Sequence, residues 1–331
     1  MPDEAVVAVT NLEYAKGRSV FEAASGHAMR CVEAPSEESA LAAFVKKHGI
    51  RHVIVGVEPY KEALYEAIPE GGVIARFGVG YDGLDLARAA EHGLLCTNTP
   101  GVLDESVAEQ AVALMLAAAR HVTHLDKGVH AGEWSPRLGV ELQGKTLAVI
   151  GCGAIGSRVG RIAALGFGMQ VLGCRRNPDA ADLRGEFGFA SVSASFEETV
   201  RDADFVSLHI PSVPETAKFL NETRLQAIPS HAWLINTARG AVVDESALYN
   251  ALREGRLAGA ALDVYAEEPY SPSDPRHDLR TIDNVIMTPH TGSSTVEACE
   301  RMATRALENI VRASEARFGE MDLLNPDALK R

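Results

Sequence analysis

The sequence predicts an α/β protein built from two doubly wound parallel-sheet domains with a cleft between them. Three observations carry that expectation. Short apolar runs alternate with helix-period segments along nearly the whole chain. A glycine-rich turn stands directly between one such run and one helical segment. Three polar segments, each closing an apolar run, gather in the second half.

Four apolar runs read as the first strands: VVAV (6–9), VIVG (53–56), GVIARF (72–77) and LLCTNT (94–99). SALAAFVKKHG and LDLARAAEHG have helical spacing and end in glycine, a frequent C-terminal stop. Residues 104 to about 125 read as one long, Ala-rich helix. It is apolar over much of its surface, which predicts burial between domains or at a subunit interface. A polar segment, 128–145, follows. A second series then supplies six strands: LAVI (147–150), MQVLGC (169–174), FVSLHI (205–210), AWLINT (232–237), AGAALDVY (258–265) and NVIMTPH (284–290). The chain after Thr291 is helical and can return to the first domain. The expected domains are 1–103 plus 292–331, and 104–291.

Composition narrows the function classes. The 331 residues carry a net charge of −13, which argues against a polyanionic partner such as nucleic acid. No apolar stretch reaches the roughly 20 residues of a membrane helix. The acidic start, MPDEAVVAV, has no signal-peptide layout. Five cysteines, an odd number without CxxC spacing, fit a reduced, cytoplasmic protein. His121 and His124 stand one turn apart on the long helix, but no Cys or carboxylate cluster joins them, so no metal site is expected.

The glycine turn is Gly151-Cys152-Gly153-Ala154-Ile155-Gly156. It follows LAVI and opens a helix, the setting in which G-x-G-x-x-G binds a dinucleotide. Gly151 permits the tight turn, Gly153 lets a pyrophosphate approach, and Gly156 lets helix and sheet pack closely. The helix N-terminus offers N–H groups and positive potential to phosphates. Cys152 reads as a small filler rather than a nucleophile. The next strand closes on Arg175, Arg176 and Asn177, where NAD enzymes place an acid for the ribose 2′-hydroxyl. Arginine there accommodates a 2′-phosphate, so NADP is expected over NAD.

The three polar segments are INTARG (235–240), DVYAEEP (263–269) and TPHTG (288–292). They offer Arg239, His290 and one of two acids, Glu267 or Glu268. A guanidinium can hold a carboxylate, and an imidazole backed by a carboxylate can move a proton. Each residue alone could be structural. Together, at strand ends beside a dinucleotide turn, they suit chemistry on a small oxo or hydroxy acid.

These segments resemble the D-isomer-specific 2-hydroxyacid dehydrogenases through nearly the whole chain. The match includes GVGYDGLDLARAAEHGLLCTNTPG, SVAEQAVALMLAAAR, LHIPSVPETAKFLN, INTARGAVVDESAL, AGAALDVYAEEP and TPHTGSST. The resemblance implies a flavodoxin-like substrate-binding domain and a Rossmann dinucleotide-binding domain. It matches the family's catalytic arginine, glutamate and histidine to Arg239, Glu268 and His290, the acid being selected by its place before Pro269. It likens Gly78, Val79 and Gly80 to the loop that holds the substrate carboxylate, with Arg76 beside it as a further candidate. Asp263 resembles the residue beside the nicotinamide carboxamide; Thr237 and Ala238 resemble residues near the nicotinamide ring.

The implied activity is NAD(P)H-dependent reduction of a small 2-oxo acid, of the glyoxylate or hydroxypyruvate kind, to a D-2-hydroxy acid, and the reverse. The implied assembly is a homodimer through the 104–140 region, with Trp134 and Arg137 in an arm against the partner. The competing readings are 3-phosphoglycerate dehydrogenase and, in another class, a dinucleotide-sensing corepressor. Formate-oxidising relatives have glutamine where Glu268 stands, which argues against that activity.

Overall fold

The computed structural model describes residues 5–24, 29–179 and 181–330. The chain divides into two compact units, Met1–Leu103 with Ser293–Arg331, and Asp104–Gly292.

The first unit holds a five-stranded parallel sheet: β1 (Ala5–Thr10), β2 (Met29–Ala34), β3 (His52–Val55), β4 (Val73–Arg76) and β5 (Leu95–Thr97), in the order β2-β1-β3-β4-β5. That is the flavodoxin-like order, with its switch point between β1 and β3. β2 was not expected from the apolar runs. It is an edge strand with Arg30 and Glu33, and only Cys31 and Ala34 are buried, so its pattern is diluted. Helix Glu38–His48 follows local rules: the Glu37 side chain accepts the Ser39 and Ala40 N–H groups, and Gly49 ends it at φ 62°. It turns Leu41 and Val45 into the core with Val53, Val55, Leu64 and Ile74. Helix Val296–Ser314, capped by Thr295, returns to this unit and buries Ala298, Met302, Ala303, Ala306 and Ile310 along one stripe.

The second unit holds seven parallel strands: β6 (Thr146–Ile150), β7 (Gln170–Cys174), β8 (Ser191–Ser193), β9 (Phe205–Leu208), β10 (Trp233–Asn236), β11 (Gly259–Leu262) and β12 (Val285–Met287). Their order is β12-β11-β10-β9-β6-β7-β8. The order reverses between β6 and β9, as in a nucleotide-binding sheet. One strand more than expected is present. β8 is only Ser-Val-Ser and carries no hydrophobic run.

The long helix needs correction. It runs Asp104–Ala119, breaks, and resumes as Val122–His130. His121 takes a left-handed conformation, φ 53°, at the break. The physical reason lies downstream: the Val140 N–H bonds the Ala119 carbonyl at 2.9 Å, and His121 Nε2 meets the Leu138 carbonyl at 3.1 Å. The returning segment thus takes the carbonyl that a continuing helix would use. His121 and His124 therefore do not share one helix. The buried side of the first piece, with Leu114, Met115 and Ala118, packs with Leu147, Val149, Ile235 and Ala261 on its own unit's sheet. The second piece has no buried residue.

Candidate active site

Arg239, Asp263 and His290 all follow the carboxyl ends of neighbouring strands, β10, β11 and β12. β10 ends in the buried Asn236. Its side chain accepts the Ala238 N–H at 3.1 Å and donates to the Arg239 carbonyl at 3.0 Å. That clasp folds residues 236–239 into a turn and throws Arg239 outward from the strand, half-buried, with Nη1 donating to the Ala238 carbonyl at 2.7 Å.

Asp263 is buried and organises the third segment. Its Oδ1 accepts from Thr288 Oγ1 at 2.5 Å, the Thr291 N–H at 2.9 Å and Thr291 Oγ1 at 3.1 Å. Its Oδ2 accepts the Gly292 N–H at 2.7 Å, and its main-chain carbonyl accepts the His290 N–H at 2.8 Å. The backbone of His290 sits in the left-handed region, φ 52°.

Glu268, not Glu267, meets the imidazole: His290 Nδ1 and Glu268 Oε2 are 2.6 Å apart. Both side chains remain about a quarter exposed, at 27% and 26%. The second Glu268 oxygen accepts the Tyr265 N–H at 2.9 Å. Burial alone pushes the Glu268 carboxyl up. The hydrogen bond and charge of His290, the Tyr265 N–H and the nearby Arg239 guanidinium outweigh it, and the net displacement is downward. Tyr265 locks the same turn, its hydroxyl donating towards the Leu262 and Thr288 carbonyls.

The glycine turn has the shape a dinucleotide requires. Gly151 has φ 97°, and a Cβ there would lie 2.5 Å from the His209 carbonyl oxygen. A Cβ on Gly156 would lie 2.0 Å from the Gly151 oxygen. At Gly153 a Cβ would meet nothing within 4 Å. Gly153 caps helix Ala154–Arg161 without a side chain, which leaves the first N–H groups, including those of Ala154 and Ile155, open to a phosphate. Cys152 is buried beneath, its Sγ against the Val149 and Cys174 carbonyls. Thr237 Oγ1 is buried and has no hydrogen-bond partner among the described residues, which leaves it able to bond a ligand. Arg175 follows β7 half-buried and Arg176 is exposed. Among the described residues neither enters an ion pair.

In the first unit, Arg76 ends β4. It is buried, its Nη1 donates to the Phe77 carbonyl, and its guanidinium lies against Gly78, which has φ 144°. The Gly78 carbonyl accepts the Thr99 N–H at 3.0 Å, and the Val79 carbonyl accepts from Asn98 Nδ2 at 2.8 Å. The bonds that fix this loop do not use the N–H groups of Val79 and Gly80.

Sequence reasoning missed Asn236, Thr288 and Tyr265, which hold the turns. Asn236 had a legible signal, an Asx residue opening a turn after an apolar run. Thr288 had none, because its partner Asp263 follows the neighbouring strand, and Tyr265 had none that singles out its hydroxyl, which bonds the Leu262 and Thr288 carbonyls.

A family described as D-isomer specific 2-hydroxyacid dehydrogenase, NAD binding domain, matches residues 112–292. The glyoxylate reductase of Korarchaeum cryptofilum is 39% identical over 282 residues, 82% of each chain. The chain belongs to the D-isomer specific 2-hydroxyacid dehydrogenases. The glyoxylate reductase of Thermococcus litoralis is 40% identical and covers 80% of each chain. Among solved structures, this dehydrogenase resembles the NADPH-dependent glyoxylate/hydroxypyruvate reductase of Sinorhizobium meliloti in complex with NADP and malonate. The TM-score is 0.82 at 28% identity, with 98% of each chain covered. D-lactate dehydrogenase of Aquifex aeolicus, complexed with NAD and lactic acid, gives a TM-score of 0.79 at 30% identity, covering 95% of this chain and 96% of that one. As a 2-hydroxyacid dehydrogenase, the chain is an oxidoreductase of CH–OH groups that binds a nicotinamide dinucleotide. No helix among the described residues is long and apolar enough to cross a membrane, and no described cluster of His, Cys, Asp or Glu could hold a metal ion.

Proposed function

We propose that this dehydrogenase reduces glyoxylate or hydroxypyruvate to the D-2-hydroxy acid, with NADPH preferred over NADH. The observation that carries the chemistry is the His290–Glu268 pair at 2.6 Å, on the sheet that carries the glycine turn. The bound dinucleotide supplies the hydride. Ala154, Ile155 and Gly156 hold its pyrophosphate through the helix N-terminus, and Gly151 and Gly153 leave the space. Thr237, Ala238 and Asp263 line the nicotinamide end. Arg175 and Arg176 neutralise the 2′-phosphate.

Arg239 binds the substrate carboxylate and polarises the 2-carbonyl. Such a charge-assisted hydrogen bond contributes about 1.5–3 kcal/mol. His290 donates the proton to the forming alkoxide and takes it back in oxidation, while Glu268 orients the imidazole and stabilises its charged form. In the first unit, Arg76 and the N–H groups of Val79 and Gly80, which bond no carbonyl among the described residues, read a carboxylate. The catalytic unit is a cytoplasmic homodimer through residues 104–140.

The relatives favour this reading over 3-phosphoglycerate dehydrogenase and over a dinucleotide-sensing corepressor. The test follows cofactor absorbance with NADPH and NADH against glyoxylate, hydroxypyruvate, pyruvate and 3-phosphohydroxypyruvate. Turnover of the first two is expected. No turnover of any of them would reject the reductase.

A further inference from the structure

A second carboxylate lies behind the Glu268–His290 pair. Glu245 opens helix Glu245–Arg253, and its Oε1 accepts the Ala266 N–H at 2.7 Å. Ala266 belongs to the turn whose Tyr265 N–H is already held by Glu268. The same turn is pressed against Gly240, where a Cβ would stand 1.8 Å from the Tyr265 carbonyl carbon and 2.3 Å from the Ala266 nitrogen. Gly240 and the Glu268 turn therefore pack backbone to backbone, and the Glu245 hydrogen bond adds a second contact to the same turn.

Asp244, Glu268, Tyr265 and Tyr270 face Glu245; His290, Arg239 and Tyr265 face Glu268; Lys218 pairs with Asp244 at 3.1 Å. Burial, first, holds the Glu245 carboxyl above its ordinary range. The Ala266 N–H opposes that, while Asp244 and Glu268 add to it. Glu268 thus acts on Glu245, and an anion at this place favours the protonated imidazole of the neighbouring pair.

We propose that Glu245 is a positioning residue for the Glu268–His290 pair, holding the Glu268 turn through the Ala266 N–H and placing a negative charge behind it. The inference rests on the proposed reductase reading. In reduction the imidazole must carry the proton it donates, so activity falls at alkaline pH. Removing an anion moves that alkaline limb to lower pH.

Three variants separate the contributions. Glu245→Gln keeps the acceptor and loses the charge. Glu245→Ala loses both. Glu267→Gln removes an exposed charge from the same turn. With glyoxylate and saturating NADPH, Glu245→Gln should keep kcat within about twofold and move the alkaline limb of kcat/KM down by about half a pH unit. Glu245→Ala should lower kcat about tenfold with KM for glyoxylate changed less than about twofold. Glu267→Gln should leave the limb in place. An unmoved limb in Glu245→Gln, an unchanged kcat in Glu245→Ala, or an equal displacement in Glu267→Gln would each overturn the proposal. If no 2-oxo acid is turned over by the parent protein, the reductase reading fails separately. The inference is then decided by imidazole NMR, in which the titration of the pair must move down in Glu245→Gln and must stay in Glu267→Gln.

Discussion

His290 is the proposed proton donor, and its backbone is in a conformation that non-glycine residues rarely adopt. Such a conformation costs on the order of 1–3 kcal/mol and persists only where neighbours over-determine it. Asp263 does so, through the His290, Thr291 and Gly292 N–H groups. His290→Ala should therefore fold, retain NADPH affinity by fluorescence titration, and lose about 10²–10⁴-fold in kcat. Retained turnover would remove His290 as the proton donor. Arg239 and His290 were legible as single residues, because each closes an apolar run. The choice between Glu267 and Glu268 was not legible from the residues alone. Adjacent acids have the same chemistry, and only the fold of the 265–268 turn decides which one reaches the imidazole.

At the scale of elements, the glycine turn gives two opposed expectations. Gly156→Ala forces a Cβ to within 2.0 Å of the Gly151 oxygen, so thermal unfolding of the apo protein should shift down by several degrees. Gly153→Ala meets nothing within 4 Å, so the apo Tm should hold while cofactor Kd, measured by titration, weakens at least about tenfold. A Gly153→Ala protein with unchanged Kd would show that the pyrophosphate does not approach there. Arg175→Asp should move the NADPH/NADH ratio of kcat/KM towards NADH, and an unchanged ratio would show that Arg175 does not read the 2′-phosphate. Strands with continuous apolar runs were readable, since they are buried on both faces of a parallel sheet. β2 and β8 were not, being mixed or short edge strands. The break at His121 was also hidden, because the residues that cause it, Leu138 and Val140, follow some twenty positions later and leave no helix-breaking Gly or Pro at the break.

For the whole molecule, acidification should unfold the protein before the carboxylates titrate fully. Burial, with Arg51 adding to it, lowers His52 from 6.5 to about 4, and its Nδ1 accepts the Val73 N–H, which the charged ring cannot do. Burial likewise lowers His209 to about 4, beside Ser207. Both stay neutral when folded and bind protons more readily when unfolded. Their stabilising contribution is complete above pH 6.5 and is lost as pH falls towards 4. For His52 the loss is on the order of 3 kcal/mol. Tm measured across that window should fall, and His52→Gln should flatten part of the slope. The proposed dimer has its own check: Trp134 and Leu138 are 88% and 98% exposed, so Trp134→Glu with Leu138→Glu should give a monomer by size-exclusion chromatography. An unchanged elution volume would place the interface elsewhere.

The sequence by itself determined the α/β class, the glycine turn and the strand ends from which Arg239 and His290 project. Those features are written in short-range patterns: apolar period, glycine spacing, and a polar residue closing a hydrophobic run. The resemblance chose Glu268, and only the tertiary structure decided that it meets His290 at hydrogen-bond distance, that Asp263 holds the histidine turn, and that Glu245 holds the Glu268 turn. These contacts join residues 21 to 29 positions apart on neighbouring elements, and no local pattern encodes a partner that sheet pairing alone brings within 3 Å.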